Sequence, residues 1–372
     1  MPARVALVKC KDYTPLLVEE AVKKSIGLLG KITDFIRPQS KVLVKPNLLM
    51  AKGPEFGITT HPEVVRAVTR ILKENGCRVF VGDGPSSWGS QIEKIAELYE
   101  RTGMKKVCQE EGVELVNFEH WRWRKKFPLS TWLDQCDYLI SVPKLKTHEL
   151  TILTGAIKNL FGLVSGPYKI ALHKKYWDKK DFSAALVDIY EEIRPALTVV
   201  DAITAMEGDG PATGGELRQL GAVVSGCDAV AVDSILAMLM GLRPQDILST
   251  KEAGLRNLGV ADFDSIAVLG DKLEDVAGRP FLLPTTSMHR KIPLPIIKLA
   301  RKFIRFYPQI LHDNCTQCLA CIKACPEQVM SLRSNRIVID YRRCIACFCC
   351  QEACAFSAVR VRKTIPAMML GL

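Results

Sequence analysis

The 372-residue sequence predicts an α/β protein, with a mainly parallel sheet covered by helices on both faces and a small C-terminal α+β module. Three observations lead there. β-rich apolar runs alternate with amphipathic helical patterns over residues 1–285, which is the signature of strand–helix–strand units. Nine of the fourteen cysteines fall between Cys315 and Cys354, whereas the preceding 314 residues hold five. Between these regions, Phe281 to His312 contains no acidic residue and is punctuated by prolines 284, 293, 295 and 308, as a linker would be.

Arg4 to Val8, Lys41 to Lys45, Arg78 to Val81, Tyr138 to Val142, Leu197 to Val200, Ala222 to Ser225 and Ser265 to Leu269 read as buried strands. His61 to Asn75, Gln91 to Gly103, Phe182 to Ile193 and Asp228 to Leu239 read as helices, the first stopped by Gly76. Ligands in such folds bind beyond the carboxyl ends of the strands. The expected organisation is an α/β domain over 1–285, a basic amphipathic linker helix over 286–311, the cysteine-rich module over 312–363 and an apolar tail over 364–372.

With 48% hydrophobic and 24% charged residues, the composition excludes a mainly disordered, collagenous or membrane-embedded chain. A net charge of +11 favours anionic partners. Gly221 to Leu242 is nearly apolar, but Asp228 and Asp233 interrupt it, so it reads as a buried strand and a helix. Met1 to Pro15 lacks the apolar core of a signal peptide, which predicts a cytoplasmic protein with reduced cysteines. Ile296 to Tyr307 places Ile296, Ala300, Phe303, Ile304 and Tyr307 on one helical face, as an interdomain strap or, alternatively, an anionic-membrane contact requires.

The cysteine-rich module carries the most specific signal. Cys315, Cys318, Cys321 and Cys325 form C-x2-C-x2-C-x3-C followed by Pro326, and Cys344, Cys347, Cys350 and Cys354 repeat the spacing 29 residues later. In such runs three thiolates cap one iron–sulfur cubane and the fourth reaches the other. The expected ligand sets are therefore Cys315, Cys318, Cys321 and Cys354 for one [4Fe-4S] cluster, and Cys344, Cys347, Cys350 and Cys325 for a second. Two complete runs at one offset argue against a zinc module. The segment resembles bacterial two-cluster ferredoxins, which implies one-electron transfer and a redox partner protein. Ala355 replaces the proline of the first run, and Cys349 reads as a spare buried thiol.

Several strings of the large domain carry reactive side chains: Lys45-Pro46-Asn47, Thr59-Thr60-His61-Pro62, Gly82-Asp83-Gly84-Pro85-Ser86, Pro143-Lys144-Leu145-Lys146-Thr147-His148, Gly155 to Gly162, Lys169 with His173, and Glu207 to Pro211. In this order they resemble the DUF362 family, a domain of unknown function often fused to ferredoxin modules, which implies a fold and a redox context but no agreed reaction. From the residues themselves, Lys144, Lys146, Thr147 and His148 read as a basic loop after a strand, leading into the N-terminus of a helix that carries Lys158 and Asn159, a ready anion site. The expected catalytic residues are His148, Lys158 and His173, with Lys144, Lys146 and Asn159 binding the substrate or cofactor. The order His148, Lys158, His173 is also similar to the site of nickel-pincer lactate racemases, where the resemblance implies a proton-transfer histidine, a cofactor-bearing lysine and a nickel-ligating histidine.

Gly82 to Gly89 lacks dinucleotide or Walker spacing and reads as a tight turn. Asp201, Glu207 and Asp209 read equally as a magnesium or amine site and as a surface loop, and the five isolated cysteines mostly as core thiols. The functional expectation is a redox enzyme passing electrons through two clusters to an anionic small molecule. No flavin motif is visible, although a flavin would convert single-electron into two-electron transfer. The alternatives are a non-catalytic carrier and a racemase-like enzyme. Nucleic acid is not an expected partner.

Overall fold

The computed structural model describes residues 2–84, 92–287 and 306–364. The strands are β1 (Ala3–Lys9), β2 (Lys41–Pro46), β3 (Arg78–Val81), β4 (Glu114–Leu115), β5 (Trp121–Arg124), β6 (Phe127–Ser130), β7 (Tyr138–Val142), β8 (Lys144–His148), β9 (Ile152–Thr154), β10 (Leu197–Gly208), β11 (Gly215–Gly226), β12 (Ile266–Gly270), β13 (Phe306–Ile310), β14 (Met330–Arg333), β15 (Arg336–Ile339) and β16 (Val359–Lys363).

Among the described residues, ten strands form one sheet in the order β12-β1-β11-β10-β7-β2-β3-β4, with β8 joining β10 and β9 joining β8. The pairings β12/β1, β10/β7, β10/β8, β7/β2, β2/β3 and β3/β4 are parallel, while β1/β11, β11/β10 and β8/β9 are antiparallel. This is the predicted mainly parallel α/β sheet. The alternation of side chains along each strand divides the core between its faces. Val5, Leu7 and Leu43 pack with the helices Lys179–Glu192 and Ala229–Leu239, whereas Ala6, Val8, Val42 and Val44 pack with Pro15–Leu29 and Pro62–Glu74.

Helix Pro62–Glu74 shows why such segments settle on the sheet. Val64, Val65, Val68, Ile71 and Leu72 form its buried stripe, Pro62 opens it, and the backbone N–H of Glu63 donates to Nδ1 of His61 at 3.2 Å. Asp228 caps Ala229–Leu239 in the same way, accepting from the N–H groups of Val230 and Ala231.

Two segments differ from expectation. Lys144–His148 is a fully buried strand, because β10 continues past its contact with β7 and pairs with β8 beyond Pro143. Tyr307 belongs to β13, which pairs antiparallel with β16, since the end of the linker supplies an edge to the cysteine-rich module. The rest of the expected linker helix, Ile296 to Arg305, the tail Pro366 to Leu372 and the turn beyond Gly84 lie outside the described residues. Among the described residues no helix is long and apolar enough to cross a membrane.

Candidate functional site

Strands β2, β3 and β7 end on one side of the sheet, where parallel-sheet proteins bind ligands. Lys45 lies at the end of β2, Asn47 just beyond it and Asp83 just beyond β3. β8 carries Lys144, Lys146 and His148 on its alternate positions, hence toward one face. These ends border a cleft lined among others by Asn47, Asp83, Lys146, Thr154, Lys158, Asn159, Lys169, His173 and Glu352.

Lys45, Lys146 and Lys169 are buried here and Lys158 is half-buried, with few carboxylates near them. Lys45 Nζ meets Asp83 Oδ1 at 2.7 Å and donates to Asn159 Oδ1 at 3.2 Å, while Asn159 Nδ2 donates to Ser141 Oγ at 2.9 Å. Gly162 makes this packing attainable, since a Cβ there would lie 2.3 Å from Asp83 Oδ1 and 2.5 Å from Lys45 Nζ. Lys146 Nζ donates to the Ile58 carbonyl at 2.6 Å, and Lys169 donates to the Gly84 and Gly162 carbonyls. Lys158 has no hydrogen-bond or ion-pair partner among the described residues, and its ammonium lies 6.0 Å from the centre of the Phe161 ring. Burial lowers all of these lysines, Lys146 well below the usual range and Lys169 to about 7.

Both expected histidines are buried and neutral near pH 7. Burial pushes His148 and His173 down to about 4, against the pull of Glu352. His148 Nδ1 accepts from the Leu150 N–H at 3.1 Å, so the ring proton sits on Nε2, 3.2 Å from Glu352 Oε1. His173 stacks on Phe182 at 4.6 Å, and its Nδ1 has no hydrogen-bond partner among the described residues.

The structure thus brings Lys146, Lys158, Asn159 and His173 to one cleft and sets His148 behind Glu352. Lys144 does not line it. Its ammonium is held by Asp201 at 2.9 Å and Tyr13 at 2.6 Å, because Asp201 lies directly opposite it on β10. Nor does the following helix offer donors for an anion. Ala156–Asn159 spans four residues, and the N–H groups of Ala156 and Ile157 already donate to Asp233 at 2.6 and 3.1 Å. Asp201 and Glu207 belong to β10 rather than to a loop, and Arg218 and Arg279 hold Glu207. Asp209 accepts from the Thr285 N–H at 2.7 Å. None of these three converges on a shared cation. Of the isolated cysteines, Cys10, Cys77 and Cys108 are buried, Cys136 is half-buried and Cys227 is exposed, since it falls between β11 and the next helix.

Sequence reasoning left Lys45, Asn47, Asp83 and Lys169 outside the site and missed Glu352 entirely. The first three carried a usable signal, their place at strand ends. Glu352 carried none, because its side chain crosses from the cysteine-rich module.

In that module one hollow is lined by Cys315, Cys318, Cys321 and Cys354, and another by Cys325, Cys344, Cys347 and Cys350. Among the described residues no three His, Cys, Asp or Glu side chains converge on a single ion. Thiolates spread around a void suit a cubane, with one cysteine on each iron, better than a tetrahedral zinc. Cys349 is buried beside Cys347.

Residues 42–238 match the family model described as a domain of unknown function, DUF362, and residues 307–355 match that of a 4Fe-4S dicluster domain. A thylakoid-associated protein of Synechocystis sp. is 31% identical over 254 residues, covering 66% of this chain and 77% of that protein. The lactate racemase apoprotein from Thermoanaerobacterium thermosaccharolyticum overlaps 64% of this chain, which spans 57% of that one, at 11% identity and a TM-score of 0.42.

Proposed function

The chain belongs to the DUF362 family, and from that footing we propose that it is a cytoplasmic iron–sulfur redox enzyme, moving electrons from a partner protein to an anionic substrate or cofactor in the lysine cleft. Two [4Fe-4S] clusters, held by Cys315, Cys318, Cys321 and Cys354 and by Cys344, Cys347, Cys350 and Cys325, would supply electrons one at a time. The observation that carries this reading is the position of Glu352. It lies two residues from Cys350 and from Cys354, yet its carboxylate is a wall of the cleft and meets His148. The electron-carrying module and the lysine cleft therefore share a surface.

Within the cleft, Lys146 and Lys158 attract and orient the anion. His173, neutral near pH 7 with Nδ1 unpartnered among the described residues, accepts a proton at Nδ1 and passes it to the organic bond being reduced. Lys45, Asp83 and Asn159 fix the wall against which the anion rests.

The test is anaerobic. Protein containing about eight irons and about eight labile sulfides is reduced and mixed with small carboxylates and phosphate esters, and cluster oxidation is followed by visible absorbance. Lys158→Ala should keep the iron and sulfide while slowing substrate-dependent oxidation at least about tenfold. Oxidation at the wild-type rate would remove the cleft as the acceptor site and leave a carrier that docks without turnover.

A further inference from the structure

Resting on the redox reading for what becomes of the electrons, we infer that the β14–β15 hairpin and residues 341–343 form the docking surface for a small acidic electron-carrier protein. Residues 328–343 hold four arginines, Arg333, Arg336, Arg342 and Arg343, and one carboxylate, Asp340. All four arginines are exposed, and none has an ion pair among the described residues. Exposed arginines of the large domain such as Arg101, Arg122 and Arg243 each meet a carboxylate instead, from Glu97, Asp134 and Asp246. A guanidinium keeps its charge at any working pH, so the surplus on the hairpin does not titrate away.

The placement of two of these charges costs the hairpin stability. Arg333 and Arg336 lie directly opposite each other in the β14/β15 register, and like charges so placed repel. Asp340 Oδ1 accepts from the Arg342 N–H at 3.0 Å, and Arg343 donates to the Glu327 carbonyl at 3.2 Å. The carboxylates of an acidic partner supply the missing counter-charge, which makes that class of partner the complementary one.

The same hairpin stands between solvent and both cysteine hollows. Ile337 lines the hollow of Cys315, Cys318, Cys321 and Cys354, while Met330 and Ile339 line that of Cys325, Cys344, Cys347 and Cys350. Side chains alternate along β15, so Arg336 and Val338 stand exposed on its outer face. Val338 and Tyr341, both exposed, add apolar area among the arginines, and Arg343 directly precedes Cys344. Bonds from Gln351, Ser357 and Arg360 dock the module onto the large domain and leave this face in solvent. A carrier seated on it is one strand away from either hollow. One electron leaves the reduced carrier and one cluster takes it up, with no bond made or broken.

The test uses the full-length, cluster-loaded protein under anaerobic conditions, with an acidic plant-type [2Fe-2S] ferredoxin as the probe. Binding of the oxidised ferredoxin is measured calorimetrically, and cluster reduction by its reduced form is followed in rapid mixing. Both should weaken as salt rises. The double variant Arg333→Gln, Arg336→Gln should weaken binding and slow reduction at least about tenfold at low salt, with iron content and reduction by methyl viologen radical unchanged. Arg122→Gln with Arg243→Gln removes the same charge elsewhere and should change either quantity by less than about twofold. All four substituted side chains are exposed, so both variants keep the fold. Equal effects of the two double variants, or no effect of the first, would overturn the inference. So would flotation with phosphatidylglycerol vesicles that depends on Arg333 and Arg336 while ferredoxin reduction does not. Ferredoxin reduction through the patch without any substrate-dependent reoxidation would instead remove the redox-enzyme reading and leave the docking surface standing.

Discussion

Individual side chains in this protein are held in protonation states that water would not give them. His61 stacks on Tyr13 at 3.7 Å, His173 stacks on Phe182, and His148 is enclosed beside Glu352; burial lowers each to about 4. The ordinary value is near 6.5, so between those limits the unfolded chain binds protons that the folded one refuses. Stability contributed by the three neutral rings is complete above about pH 6.5 and is lost as the pH falls toward 4, by on the order of 3 kcal/mol for each group. His173→Phe keeps the stacked ring and removes one titration. Urea unfolding followed by tryptophan fluorescence should therefore show a shallower fall in stability between pH 7 and 5 in His173→Phe than in wild type. An unchanged slope would mean that His173 is protonated in the folded protein.

Strand β8 is where reading the sequence and folding it part company. The string Lys144-Leu145-Lys146-Thr147-His148 reads as a basic loop beyond the end of a strand, placed to bind an anion. Its period-two alternation was nevertheless a strand signal, and the chain obeys that signal because β10 is long enough to pair with both β7 and β8. Most of the sheet was legible beforehand, since strands such as Val42–Val44 and Val79–Val81 are short apolar runs bounded by turns. Pairing order, the ion pair between Lys144 and Asp201 and the burial of Lys146 were not, because each depends on a partner far away in sequence. The four-residue helix Ala156–Asn159 depends on such a partner as well. It positions Lys158, and Asp233 from another helix accepts both of its leading N–H groups. Asp233→Ala should leave those donors unsatisfied and cost about 2 kcal/mol in unfolding free energy. It should also weaken anion binding by displacing Lys158, whereas intact binding with full stability would show that the helix holds its place without the cap.

At the level of the whole molecule, the cysteine-rich module is fastened to the large domain beside the cleft. Thr213, between β10 and β11, donates from Oγ1 to the Cys354 carbonyl at 2.9 Å and accepts from the Ser357 N–H at 3.2 Å. Ser357 Oγ donates to the Thr213 carbonyl at 3.0 Å, and Gln351 Nε2 donates to the Asp209 carbonyl at 3.1 Å. The same short segment thus carries Cys350 and Cys354 of the second cysteine run, the bonds that dock the module, and Glu352 in the cleft. Thr213→Val preserves side-chain shape while deleting both hydroxyl bonds, worth about 1 kcal/mol each. It touches neither a cysteine side chain nor a cleft residue, so iron, labile sulfide and equilibrium anion binding should remain close to wild type. If electrons pass from the module to the cleft, looser docking should slow substrate-dependent cluster oxidation several-fold in rapid mixing. Reduction of the clusters by a small external reductant, which needs no docking, should proceed at the wild-type rate. Parallel slowing of both reactions would point to cluster damage, and no slowing of either would show that the Thr213 contacts do not limit communication between the two parts.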